Sequence, residues 1–209
     1  DFSKCDLRGV CLEGATMLYC NFDGSKLNAA KLAGAALKNS SFKKANLSKA
    51  DLTGAQLKSA DMTGAILDDA TLKDADISGA KFDKVKGSRI NLSGVTAKKT
   101  SMKGAMLDKA IIDGAGFVDC DLRATSLEKS LLSCCEFYSC DLEGARFHKS
   151  KLKDLVFRDC KPGSLEVKEV EVAKTFTEPT KLVLTATLSG KIKELKWPSD
   201  NRYGWRSGV

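Results

Sequence analysis

The chain has 209 residues, of which 43% are hydrophobic and 29% are charged, and its formal net charge is +7. This length fits one domain, and the apolar content suffices for a core. The chain has three prolines and no uncharged apolar run of ~18 residues, which argues against a disordered chain, a membrane-spanning helix and a secretory signal. Because the chain starts at Asp1 rather than Met, we expect a mature or trimmed product.

A single five-residue period runs from Phe2 to Phe157. Of the 32 positions in this phase, 30 are Leu, Phe, Met or Ile, and the exceptions are Gly87 and Ala97. A mostly small residue lies two positions before each of them, as Ala50 lies before Leu52. A period of five matches neither the 3.6 of a helix nor the alternation of a strand, so residues 1–160 form neither ordinary helices nor flat strands.

Phenylalanine reveals a second, longer period. Two series differ by multiples of 20: Phe2, Phe22, Phe42 and Phe82, and then Phe117, Phe137 and Phe157. Four pentapeptides therefore form one coil, and stacking at the strand spacing of about 4.8 Å gives a rod of eight coils roughly 38 Å long. Glycine recurs at one phase, where we expect it to supply the permissive backbone of a corner.

Repeats such as Ala50-Asp51-Leu52-Thr53-Gly54 and Ala45-Asn46-Leu47-Ser48-Lys49 resemble the A(D/N)LXX signature of the pentapeptide-repeat family. The resemblance covers about three quarters of the chain. It implies an all-β fold, a right-handed, four-sided parallel β-helix with the central Leu or Phe and the preceding small residue inside. Within residues 85–97 these two positions exchange sizes, so we expect a distorted but continuous coil with its interior volume kept.

After Cys160 the five-residue phase stops, and residues 161–209 are predicted to form a second, non-repeat unit. Segments 165–172, 182–188 and 191–196 have the composition of strands. We expect a small antiparallel β cap over the last coil, followed by an aromatic tail with Trp197, Tyr203 and Trp205. No comparable cap precedes the first coil, so we expect other residues or another protein to cover it.

Six of the eight cysteines fall on the inward small phase, where Cys substitutes for Ala: Cys5, Cys20, Cys120, Cys135, Cys140 and Cys160. Cys120, Cys140 and Cys160 should form one column, in which a single strained disulfide is compatible with the spacing. Cys11 and Cys134 lie at outward phases and are the better candidates for reactivity. There is no CxxC and no paired Cys/His set, so the sequence predicts no metal site.

The sequence also lacks the residues of an enzyme. His148 is the only histidine and falls at an outward phase, so we expect a solvated surface imidazole there and neither a catalytic triad nor a multi-histidine metal site. Neither GxxxxGK nor GxGxxG occurs. We therefore predict a non-enzymatic protein without a cofactor.

Outward apolar residues mark a candidate contact surface. Ile111 should stack with Leu131 on one face, Met106 lies on the face before, and Val118 should stack with Tyr138 on the face after. Together with Trp197, Tyr203 and Trp205 they form the predicted partner-binding set. Up to about residue 80 the outward groups are mainly small or charged, with Ile66 as the main exception.

Arg89, Lys109, Lys129 and Lys149 share one phase and should form a basic ladder. Asp108 and Glu128 in the neighbouring column neutralise part of it, so we interpret the ladder as a solvated face and do not expect a nucleic-acid partner.

These features favour a structural scaffold or assembly subunit that mediates protein–protein interaction. The resemblance implies an alternative, a DNA mimic that modulates type II topoisomerase. Mimicry needs a negative rod, whereas residues 1–160 carry +4, from 25 basic and 21 acidic residues. The resemblance to lumenal pentapeptide proteins of chloroplasts and cyanobacteria, with the cysteine content, also suggests a photosynthetic complex of the thylakoid lumen.

Overall fold

The structure, a computed structural model, describes residues 1–173. The predicted strands at 182–188 and 191–196 and the aromatic residues Trp197, Tyr203 and Trp205 lie outside the described residues.

The described chain is a parallel β-helix in which paired residues lie four pentapeptides apart. Parallel pairing runs from Asp6↔Lys26 to Lys153↔Ala173. This register is that of the predicted right-handed, four-sided fold. We count coils of four pentapeptides from Asp1. In the first coil, residues 1–5, 6–10, 11–15 and 16–20 lie on the first, second, third and fourth faces, and the same order repeats every 20 residues.

Regular strands occur in the later coils of the third and fourth faces. They are β1 Thr96–Lys98, β2 Ile111–Asp113, β3 Gly116–Val118, β4 Leu131–Ser133, β5 Glu136–Tyr138, β6 Lys151–Lys153, β7 Val156–Arg158 and β8 Glu171–Ala173. The fourth face holds the sheet β1-β3-β5-β7, and the third face holds the sheet β2-β4-β6-β8. Both sheets are parallel.

One pentapeptide shows why the repeat has its sequence. Leu52 is fully buried. The carboxylate of Asp51 accepts a hydrogen bond from the Thr53 amide at 2.9 Å, and the Ala55 amide closes the turn by donating to the Leu52 carbonyl at 3.0 Å. Asp or Asn at the position before the core residue therefore satisfies a corner amide that would otherwise lack a partner in the chain.

Each corner contains a residue in the left-handed conformation, and most of these residues are not glycine. In residues 1–173, 12 glycines and 22 other residues have positive φ, including Gly54 at +64° and Lys44 at +56°. These angles fit the third residue of a type II turn. The expectation that glycine supplies the corners is thus only partly right, because backbone pairing to adjacent coils holds Lys, Asp and Ser in the same conformation.

The interior is filled by stacked columns, as predicted. The rings of Phe22 and Phe42 lie 4.7 Å apart between centroids at an angle of 7°, and Phe117 and Phe137 lie 4.9 Å apart. At the exchanged position, a Cβ on Gly87 would lie 3.1 Å from Cδ2 of Leu107. Neighbouring side chains therefore occupy the volume that Gly87 leaves, and the coil is continuous.

The predicted change of fold at residue 160 is wrong for the residues that the structure describes. Arg146↔Glu166 and Lys151↔Glu171 are parallel pairs, and Val167 and Val170 are buried in the core phases. Residues 165–172 therefore continue the β-helix and do not begin an antiparallel cap. Pro162 in the core phase hides this continuation in the sequence. A cap formed by later residues stays a prediction.

Candidate functional site

Three exposed side chains form what we call the apolar patch: Met106, Ile111 and Leu131. Ile111 in β2 pairs with Leu131 in β4, and their exposed fractions are 45% and 46%. Met106 is 44% exposed one pentapeptide before Ile111, on the second face. The predicted stacking of Ile111 on Leu131 is confirmed, and the patch wraps the corner between two faces.

Val118 and Tyr138 lie on a different side of the rod. They are partners in β3 and β5 of the other sheet, and both are half-buried. The guanidinium of Arg158 lies 5.4 Å from the centre of the Tyr138 ring, within the range of a cation–π contact. The structure therefore spreads the described members of the predicted contact set over three faces, with only the Ile111–Leu131 and Val118–Tyr138 pairs in register.

The most exposed apolar residues of the first coil are not in the predicted contact set. Leu18 is 45% exposed and Tyr19 is 75% exposed, whereas Ile66, the residue singled out in these coils, is half-buried. The signal was available, because positions 18 and 19 occupy outward phases. Core residues of this coil such as Phe2 are also partly exposed, and their covering by another group stays a prediction.

The basic ladder is neutralised at both ends. Arg89 pairs with Asp69 at 2.5 Å, and Lys149 pairs with Glu169 at 3.7 Å. Lys109 and Lys129 form no ion pair within the part of the chain that the structure describes. The free positive charge of the ladder is thus confined to the two lysines that precede Ile111 and Leu131 by two residues.

All eight cysteines lie in the described residues and are free. Cys11 and Cys134 are exposed, as predicted, but Cys5 is also exposed because it belongs to the first coil. Burial raises the pKa of the Cys135 thiol to about 11.

The Cys120–Cys140–Cys160 column is protonated at its centre. Hydrogen bonds with the Cys120 and Cys160 thiols, and burial, raise the pKa of Cys140. Cys140 and Cys135 are therefore poor nucleophiles at neutral pH.

Within residues 1–173 no group of His, Cys, Asp and Glu is arranged to hold a metal ion, and no helix there is long and apolar enough to cross a membrane. His148 is half-buried, and its enclosed Nε2 atom lies 3.2 Å from a carboxylate oxygen of Glu166. On the described surface, the apolar patch is therefore the main candidate for a functional site.

Comparison with known proteins gives a family match. The family model for pentapeptide repeats matches eight copies, over residues 20–58, 50–86, 88–123 and 120–159. No curated protein matches the chain closely enough to count as a relative.

Several solved structures are similar to the chain. HetL, a pentapeptide repeat protein involved in heterocyst differentiation regulation from the cyanobacterium Nostoc, is 18% identical over 78% of this chain and 89% of its own, with a TM-score of 0.42. QnrB1, a plasmid-mediated fluoroquinolone resistance protein, is 17% identical over 80% of this chain and 85% of its own, with a TM-score of 0.49. A pentapeptide repeat protein from the Arabidopsis thaliana thylakoid lumen is 29% identical over 48% and 66%, with a TM-score of 0.37.

Proposed function

The chain belongs to the pentapeptide-repeat family, and we propose that it is a non-enzymatic scaffold or assembly subunit that binds another protein through the apolar patch. The observation that carries this proposal is the exposure of Met106, Ile111 and Leu131 at adjoining positions of a regular rod. The fold does not require apolar groups there, since equivalent positions hold Lys, Asp and Asn in other coils.

The composition of the patch indicates the kind of protein surface it fits. Large aliphatic side chains at the centre of a contact gain most from losing their water, and charged groups at its edge act on specificity and on the rate of encounter. Lys109 and Lys129 supply such an edge on one side. We therefore expect the partner to present an apolar surface with acidic residues beside it.

The DNA-mimic alternative receives no support from charge. A rod that replaces DNA in a basic channel must be negative, and residues 1–160 carry +4. Assay of supercoiling inhibition by type II topoisomerase tests it directly, and we expect no inhibition.

A location in the thylakoid lumen stays part of this proposal. Its support is the resemblance to lumenal proteins and the cysteine content. Thiol alkylation of the native protein before and after reduction tests it, because an oxidising compartment leaves some thiols blocked until reduction.

Co-purification from native extract tests the role of the apolar patch. We expect Met106→Ser, Ile111→Ser and Leu131→Ser together to reduce partner recovery at least about tenfold, since apolar anchors carry ~2 kcal/mol or more at hot spots. The matched control is Leu18→Ser with Tyr19→Ser, which removes exposed apolar groups elsewhere. Unchanged recovery with the triple variant, at an unchanged circular dichroism spectrum, would contradict the proposal.

A further inference from the structure

The fourth face differs from the other three because its charged side chains form no ion pairs within the described chain. Its nine charged residues form no ion pair with any residue that the structure describes: Lys38, Lys58, Asp76, Lys98, Lys99, Asp119, Glu136, Arg158 and Asp159. Each of the other faces contains such pairs, for example Lys43–Asp61 at 3.5 Å on the first face and Lys151–Glu171 at 3.1 Å on the third. The charges of the fourth face are therefore available for ion pairs with another molecule, and only Arg158 among them also makes a cation–π contact within the described chain.

These charges follow an order along the rod. From the first coil to the eighth, the net charge of the outward residues of the fourth face is 0, +1, +1, −1, +2, −1, −1 and 0. When this series is compared with the same series in reverse order, every coil with a net charge is matched by a coil whose net charge has the opposite sign. Coil two carries Lys38 and coil seven carries Glu136, while coil three carries Lys58 and coil six carries Asp119. In the middle, Asp76 of coil four corresponds to the two lysines of coil five.

We propose that a second copy of this chain docks antiparallel on the fourth face, about a two-fold axis that passes between coils four and five. In such an isologous contact each pair of opposite charges occurs twice, once on each side of the axis. The ends also match in character, because the exposed Leu18 and Tyr19 come opposite Val156 and Arg158. Leucine can pack on valine there, and arginine can stack on tyrosine.

The same operation fails on the first and third faces. On the first face it places Lys43 and Lys44 against Lys103, and on the third it places Asp51 against Asp113. Like charges placed opposite each other are unfavourable. A parallel arrangement through the fourth face is equally poor, because Lys38 would then face its own copy.

On the second face the complementarity is confined to the two middle coils. The Asp69 and Arg89 side chains there already pair within the chain, with nitrogen–oxygen distances of 2.5 and 2.7 Å. The outer coils of that face add nothing, since Arg146 and Lys149 meet a coil without net charge.

The size of the face predicts a weak dimer. Eight coils at about 4.8 Å and three extended residues at about 3.3 Å give a face of roughly 38 by 10 Å. Its flat area of roughly 400 Å² per copy is about half of the ~800 Å² per partner in a standard interface. Association should therefore depend on the ion pairs and weaken as salt screens them.

Sedimentation velocity of the full chain over a concentration series tests the dimer. We expect dimers at about 20 mM salt that dissociate at about 500 mM salt. Lys38→Glu with Lys58→Glu should raise the dimer dissociation constant at least about tenfold, and adding Asp119→Lys and Glu136→Lys to the same chain should restore it, because the opposite signs are then exchanged. The matched control is Lys26→Glu with Lys49→Glu on the second face, which changes the net charge equally and should leave the dimer intact.

Zero-length carbodiimide cross-linking tests the antiparallel register. Lys38 and Glu136 lie five coils apart, about 24 Å within one chain, so an amide between them must join two chains. We expect this cross-link in the dimer band at low salt and its loss at about 500 mM salt, where the dimer dissociates. A chain that stays monomeric at low salt, a fourfold variant no more associated than the double variant, or a dimer without the Lys38–Glu136 cross-link would each overturn the proposal.

Discussion

The hydroxyl of Ser40 completes a turn that belongs to Cys20, one coil earlier. The backbone nitrogen of Cys20 lies 3.0 Å from Oγ of Ser40, and this hydroxyl donates to the carbonyl of Met17 at 2.7 Å. In most turns of the described chain the equivalent amide donates directly to the carbonyl three residues earlier. Here the hydroxyl lies between the amide and the carbonyl. The thiol of Cys120 has a similar position, with Sγ 3.3 Å from the carbonyl of Ala97. Several polar residues of the inward small phase, Ser40 and Cys120 among them, therefore connect consecutive coils.

Removing this hydroxyl should destabilise the rod. We expect Ser40→Ala to lower the free energy of unfolding by about 1–3 kcal/mol, because it leaves the half-buried Cys20 amide and the Met17 carbonyl without their partner. Ser93→Ala removes a half-buried hydroxyl that makes no hydrogen bond in the structure, and should cost under about 0.5 kcal/mol. Urea denaturation measures both, and equal midpoints would contradict the bridging role.

The inward and outward phases predict opposite effects of one substitution at adjacent positions. Leu52 is fully buried and Thr53 is half-buried. Leu52→Lys should unfold the rod, since burying an unpaired ammonium costs several kcal/mol, whereas Thr53→Lys should change stability by under ~1 kcal/mol. If thermal unfolding gave both variants the same melting temperature, the phase assignment would be wrong.

Most of the fold follows from the sequence, because its two periods report geometry directly. Phe22 and Phe42 occupy the same position in consecutive coils, and their rings stack as the longer period predicts. The continuation to Ala173 was missed because Pro162 breaks the core pattern, although Val167 keeps it. The sequence also did not predict which surface residues form ion pairs. Two residues stacked in one column, such as Asp69 and Arg89, pair only when their side-chain conformations allow it.

The raised pKa of Cys135 predicts a loss of stability at alkaline pH. Its pKa is about 11 in the folded chain against a reference value of 9.0. The folded state therefore holds a proton that the unfolded state releases, so the contribution is complete below about pH 9 and is lost as the pH rises toward 11. The full effect is roughly 2–3 kcal/mol.

The measurement for Cys135 is the free energy of unfolding between pH 8 and 11, and we expect Cys135→Ala to show a shallower fall than the parent chain. Cys134→Ser, which changes the exposed neighbour, should keep the parent slope. Identical slopes in the parent and Cys135→Ala chains would contradict the assignment.

Thiol exposure predicts an order of alkylation. Cys5, Cys11 and Cys134 are exposed, whereas Cys120, Cys135 and Cys140 are buried. Under native conditions at neutral pH we expect the exposed three to react first and the buried three only after unfolding. Peptide mass spectrometry after timed alkylation measures this order, and early labelling of Cys140 would show that the coils open locally.

The contact role of the apolar patch is tested most directly by photo-cross-linking from two positions of one column. A benzophenone amino acid replaces Leu131 in one chain and Lys31, five coils earlier on the same face, in the other. In native extract we expect one defined partner to be cross-linked from position 131 and not from position 31, and the product to disappear when Ile111→Ser is added. Cross-linking of the same partner from both positions, or from position 31 alone, would contradict the account.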